Sequence, residues 1–275
     1  MKTTTLFIFS AFVVLSSCNE RRDRKNNEKS DWVSKTVDNV VEKGSGPTRE
    51  KEYKGDFDEI EISQAIDAQI IKSETERVVI SAPENIINEI LVDNNGGKLH
   101  IHYKPGIRVM NSSNVSAKIY TKDFTKLEAN SAGKITLKDK FTQEKTEIEI
   151  SSAGSISGDI EANNLDISAG SSSSFDGKIW AVDLGIDASS AASISLSGKS
   201  KNADITSSSG SSISAENVIA ENVKAEASSG ASVEISATSK IEANASSGGS
   251  IDIRKKGNVT VVNKEESSGG SVNVH

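Results

Sequence analysis

The chain has 275 residues, 26% of them charged, with a formal net charge of -7 and a pI near 5.2. This acidic balance excludes nucleic acid as the expected partner, because phosphate recognition needs a basic face. Aromatic residues make up only 4% and none follows Trp180, so the last ninety-five residues must build a core without large rings.

In chain order, residues 1–17 read as a lipoprotein signal peptide. A lysine stands near the start, an apolar run follows from Leu6 to Leu15, and small residues precede Cys18. The run is too short for a bilayer span, which takes about 20 residues, and it suits a secretory core segment. Leu15-Ser16-Ser17-Cys18 resembles the bacterial lipobox, in which the cysteine thiol accepts a diacylglyceryl group and becomes the new N-terminus. Cys18 is the single cysteine of the chain, so no disulfide can form within a monomer. An ordinary cleavable signal with an incidental cysteine is the alternative. Several acyl chains on Cys18 would hold the protein stably at a membrane.

Residues 18–49 read as a flexible tether. "NERRDRKNNEK" is charged and has no apolar residue to bury. Within "SDWVSKTVDNVVEKGSG", Val33, Val37, Val40 and Val41 have helical spacing, with Ser30 or Asp31 as N-cap and Gly44 as stop, so a short amphipathic helix is expected there. Residues 50–125 read as an N-terminal β region. "RVVISA", "KLHIHY" and "VSAKIY" alternate as strands, punctuated by the turns "DNNGG" and "KPG".

Residues 126–275 carry a repeat. Small-residue turns can be anchored at Ser131, Ser152, Ala169, Ser190, Ser209, Ser229, Ser247 and Ser268, with spacings of 21, 17, 21, 19, 20, 18 and 21. A period near twenty marks a repeat architecture. Four and six residues after each anchor lie pairs such as Ile135/Leu137, Ser173/Phe175, Ile194/Leu196 and Ile251/Ile253. Before the anchors, positions −4 and −2 give Leu127/Ala129, Ile148/Ile150 and Leu165/Ile167. Apolar residues two apart on both sides of the turn predict two short strands per repeat, each with one face inward, joined by a looser return such as "EANN" (161–164). Such a unit cannot bury its own inward face, and stacking at about 4.8 Å closes a common core. The fold class expected is therefore all-β: a parallel β-solenoid of about eight repeats, capped by the N-terminal β region. "EIEISQAI" (59–66) aligns with "EIEISSAG" (147–154), so Gln64 is expected to act as a degenerate first anchor.

Chemistry is sparse. Position −3 gives Glu128, Glu149, Asp166 and Asp187 in successive repeats, an outward acidic ladder that could take Ca²⁺ or simply face solvent and keep other sheets away. His100 and His102 alternate on one strand, which could begin a metal site but suggests no third ligand. Serines are abundant, yet none has a nucleophile-elbow context, and no phosphate loop or zinc spacing occurs. No catalytic residue, cofactor or metal ligand is assigned.

"SGPTREKEYKGDFDEIEIS" (45–63) and the small-residue corners ending in "GNVTVVNKEESSGGSVNV" (257–274) are similar to the head GIN domain family of auto-transporter adhesins. That resemblance spans residues 45–275 and implies a β-helical, non-enzymatic envelope protein of Gram-negative type, often a lipoprotein. It implies adhesion to a glycan or protein ligand. A periplasm-facing structural or stress-related lipoprotein is the alternative, and a polysaccharide lyase or hydrolase is third. The terminal "SVNVH" is expected to leave an open strand edge, either covered by the preceding loop or used for head-to-tail self-association.

Overall fold

The computed structural model describes residues 40–41, 44–109 and 114–275. Nineteen of its strands form one continuous sheet that winds into a parallel β-solenoid. Successive coils pair residue for residue. Ile148 lies on Ile167, Ile167 on Ile186 and Ile186 on Ile205. Alternation drives this arrangement: in the strand Ser174–Ala188 the buried positions include Phe175, Ile179, Ala181, Leu184, Ile186 and Ala188, with exposed residues between them. Aliphatic columns therefore run through the interior, and Ile135, Ile156, Phe175, Ile194, Ile213, Val233 and Ile251 form one of them at 0–1% exposure. Each such side chain is worth about 2 kcal/mol of burial, which is how the aromatic-free half holds together.

The corners explain the small residues. Asn130-Ser131-Ala132-Gly133 closes a tight turn in which the Gly133 N–H donates to the Asn130 carbonyl (2.8 Å), and Ser131 and Ala132 both have positive φ. The second corner residue then donates its N–H to the first corner residue of the next coil: Ala132 to Ser152, Ala153 to Ser171, Ser172 to Ser190, and Ala191 to Ser209. Gln64 and Ala65 adopt the same positive φ, and the Ala65 N–H reaches the Ser131 carbonyl at 3.0 Å, so the degenerate first corner is real.

Two expectations change. The third corner is Ser171-Ser172 rather than Ala169, which makes the spacings 21, 19, 19, 19, 20, 18 and 21. Ala169 points inward instead, beneath Ala188. Of the two looser returns expected, "KKGN" (255–258) does leave the strand after Lys255 but "EANN" (161–164) is not loose. "EANN" lies inside the strand Ile160–Ala169, and Ile160 and Ala162 fill further inward columns with Ile179 and Ala181. Ladder pairing skips Glu144, Asn163, Val182, Lys201 and Glu221, so the chain bends there and these coils gain a third side; the register also shifts between Ser195 and Ser197. Alanine at the bend-side column was too small a signal to read as a strand interior.

At the N-terminal end the stacking order departs from chain order. Glu59–Ile62 and Asp67–Lys72 form a coil that receives Lys98–Tyr103 and Ser116–Thr121 on one side and Lys126–Ala129 and Lys134–Leu137 on the other. Antiparallel strands then close that end: Ile90–Asn95 pairs with Lys98–Tyr103, while Arg77–Pro83 pairs with Ser116–Thr121 and with Thr48–Lys54. Val40–Val41 pair in parallel with Arg108–Val109, so they are extended where a helical turn was expected. The rest of that expected helix, the signal peptide, Cys18 and the charged segment "NERRDRKNNEK" lie outside the described residues.

The other end is unpaired on its outer side among the described residues. Val261–Glu266 and Ser271–Val274 form the last coil, paired only with the coil beneath. Inward positions that hold Ala243 and Ala245 one coil below hold Lys264 and Glu266 here.

Candidate functional site

Between the inward residues just before each corner, two outward columns run the length of the solenoid. One carries Glu61, Glu128, Glu149, Ser168, Asp187, Thr206, Glu226, Asn244 and Glu265 in register. Three of the four expected ladder acids, Glu128, Glu149 and Asp187, stand in it. Asp166 does not. It lies in the neighbouring column between Glu147 and Gly185, because the true corner falls two residues later than the sequence anchor.

That neighbouring column supplies the cations. Lys98 Nζ lies 2.8 Å from Glu61 and 3.1 Å from Glu128, Lys126 Nζ lies 2.7 Å from Glu149 and 3.3 Å from Glu147, and Lys224 bridges Asp204 and Glu226. Beyond Glu149 the acids alternate with Ser168, Thr206 and Asn244, so no two remain adjacent along the ladder. Among the described residues no group of three or more His, Cys, Asp or Glu is placed to hold a metal ion.

The densest polar cluster sits at the N-terminal coils. His100 lies one coil from Glu61, 3.4 Å from its carboxylate and 3.0 Å from Ser63 Oγ, and stacks on His102 with ring centroids 4.1 Å apart. His102 in turn lies 3.0 Å from Asp93. Burial pushes the Glu61 carboxyl up, but the hydrogen bonds from Lys98 and Asn130 and the nearby positive charges outweigh it and hold Glu61 below the usual carboxylate range. The Glu61 hydrogen bond holds the Lys98 ammonium well above the ordinary lysine range. Burial is the main force lowering His100, aided by Lys98 and His102. Beside them, burial pushes the Tyr103 hydroxyl up to about 12, with no hydrogen-bond partner among the described residues. The two histidines are thus structural elements of the cap, tied to carboxylates and to each other.

Sequence periodicity found the acidic column but not its lysines, which come from the column two residues away. It also left Trp180 unassigned. That ring is 46% exposed on a different side of the coil, beside Lys178 and Lys199.

Comparisons with known proteins agree with this architecture. A family model described as "Putative auto-transporter adhesin, head GIN domain" matches residues 56–258. A solved structure described as a "putative adhesin" from Parabacteroides merdae has a TM-score of 0.79 at 19% identity, covering 86% of this chain and 99% of its own. One from Parabacteroides distasonis, also a "putative adhesin", has a TM-score of 0.76 at 19% identity over 86% and 100%. A third, described as a "putative lipid binding protein" from Parabacteroides distasonis, has a TM-score of 0.73 at 19% identity over 86% and 99%. At these identities they show a shared fold. No curated protein matches the chain. With its stacked coils, positive-φ corners and most of its length matched, the chain belongs to the head GIN domain family of auto-transporter adhesins.

Proposed function

We propose that this is a lipid-anchored, non-enzymatic cell-envelope protein whose solenoid presents an adhesin-like binding surface for a glycan or protein ligand. The observation that carries it is the outward columns: rows of polar side chains repeated along the stack, laid on a rigid sheet rather than gathered around one reacting point. Such a surface suits an extended ligand. General acid–base catalysis by the lysines of these columns would need a group whose protonation changes near the working pH, and Lys98, Lys126 and Lys224 are all held more firmly protonated by their carboxylate partners. Purified protein is accordingly expected to release no oligosaccharide from polysaccharide substrates.

Anchoring through Cys18 is the proposed means of retention in the outer membrane. Cys18→Ser should move the protein from the membrane fraction to the soluble fraction, and unchanged fractionation would contradict the anchor. Removing residues 126–275 should abolish binding to cells and glycans. Retained binding would contradict the assignment of adhesion to the solenoid.

A periplasm-facing role is the second reading. It is favoured by "NERRDRK" after Cys18, which lacks a run of acidic residues. Protease treatment of intact cells separates the two: cleavage supports surface display, and full protection supports the periplasmic face. One fold relative is described as lipid-binding. Here the interior columns are filled by side chains at 0–7% exposure, so a lipid would have to be held on the outside of the coil.

A further inference from the structure

We propose that the side of the solenoid around Trp180 is a binding subsite for an acidic, uronate-bearing glycan chain; this deepens the adhesin-like reading above and rests on it. The large aromatics Phe57, Tyr103, Phe124, Phe141 and Phe175 are buried, whereas Trp180 leaves nearly half of its surface in water. Its indole N–H has no hydrogen-bond partner among the described residues. The ring is held by strand geometry: Ile179 and Ala181 point inward on either side of it, so Trp180 and Lys178 face outward together.

Pairing continues this surface over several coils. Glu161, Trp180, Lys199 and Ile219 stack in one column, and Ile219 is 38% exposed. Glu161, Trp180 and Lys199 border a cleft of about 320 Å³ that includes Lys140, Lys178 and Asn217. Lys140 is engaged by Glu161 at 2.9 Å, while Lys178 and Lys199 have no ion-pair partner among the described residues. Three lysines against Asp159 and Glu161 leave this cleft net positive on a chain whose net charge is -7.

An exposed indole offers a flat apolar face with a polar N–H at its edge, which suits the CH face and hydroxyls of a pyranose. The two uncommitted ammonium groups beside it suit carboxylates on the same chain. The rise between coils is about 4.8 Å, close to the length of one sugar unit. A glycan laid along the solenoid axis would therefore meet Trp180 and Lys199 with successive residues. A protein partner is the competing occupant, and the experiment below tells them apart.

Purified full-length chain would be titrated with an oligomer of galacturonic acid and with the neutral galactose oligomer of equal length, following tryptophan emission and, in parallel, calorimetry. The acidic oligomer should bind saturably and shift the emission, with the neutral one at least about 10-fold weaker. Trp180→Ala should weaken acidic-oligomer binding about 10-fold or more, and Trp180→Phe should restore part of it. The double variant Lys178→Ala/Lys199→Ala should weaken it several-fold and reduce its salt dependence, since exposed charges are screened. All three substitutions are on exposed positions, so unchanged circular dichroism is expected to accompany them. Absence of acidic-oligomer binding, or equal binding by Trp180→Ala, would overturn the subsite. Cell adhesion separates it from the broader reading. Wild-type adhesion without acidic-oligomer binding removes this subsite and keeps adhesion, whereas acidic-oligomer binding without adhesion keeps the subsite and removes adhesion.

Discussion

At the corners, the described residues include fourteen non-glycine residues with positive φ, nearly all serine or alanine. Each costs about 1–2 kcal/mol relative to ordinary backbone, and the hydrogen bond that its corner donates to the next coil offsets part of that. The strain is tolerated because it is shared by stacking. Glycine matters differently from place to place. Gly248 has φ +75 with open space where a Cβ would stand, and equivalent corner positions hold Ala132, Ala153 and Ala191. Gly198 has φ +127, and a Cβ there would collide with the Ile179 carbonyl. Gly248→Ala should therefore cost about 1 kcal/mol and Gly198→Ala at least about 2 kcal/mol in denaturant unfolding. Equal effects would contradict this account of the bend. The cap cluster has its own pH dependence. Glu61 titrates lower when folded, so its stabilisation is present above the unfolded value near 4.5 and is lost as pH falls through the lower folded value. His100 also titrates lower when folded, so stability begins to fall as pH drops below 6.5. Glu61→Gln should lower stability at pH 7 by about 1 kcal/mol and flatten the acid limb below pH 4.5, measured by thermal unfolding across pH.

Along the elements, the ends of the stack are handled in opposite ways. The N-terminal coils are covered by antiparallel strands, and the outermost strand Thr48–Lys54 carries Arg49, Lys51 and Lys54, a common defence of an exposed edge. Among the described residues nothing pairs with the outer side of the C-terminal coil. There Lys264 and Glu266 occupy inward positions, and Glu266 turns to accept the Val272 N–H at 2.7 Å. A further coil or a second molecule stacked on this end would have to bury both charges, which is expensive without partners. We propose that these two residues stop head-to-tail stacking. Replacing both with valine should make the protein self-associate, seen as a concentration-dependent rise in mass by light scattering. Val261 and Val262, 41% and 43% exposed, already lie on that coil. A double variant that stays monomeric would show that the edge is protected by something else. Alternating aliphatics made the pre-corner strands legible in the sequence. The bend-side strands were missed because their inward column is largely alanine, as at Ala162, Ala181, Ala220 and Ala237.

For the whole molecule, each coil depends on the two that flank it. Ile213, fully buried between Ile194 and Val233, should cost about 3 kcal/mol when replaced by alanine. Val272 in the end coil has a neighbour on one side only and should cost about half as much. Comparable losses at both sites would mean that the end coil is covered in solution. The first coil is flanked by segments far apart in sequence, since Ile60 lies between Leu99 and Leu127. The sequence by itself determined that coils exist, that their period is near twenty and which aliphatics line the strands beside most corners, because small corners and alternating aliphatics are local requirements of every repeat. It also exposed the degenerate corner at Gln64, through eight-residue similarity to a later copy. Only the tertiary structure decided that Lys98–Tyr103 lies on the far side of an earlier strand, that Asp166 leaves the acidic column, and that Lys178 and Trp180 share an open face. Those facts depend on register and on the order in which coils are laid down, and register is set by contacts between segments a whole coil or more apart.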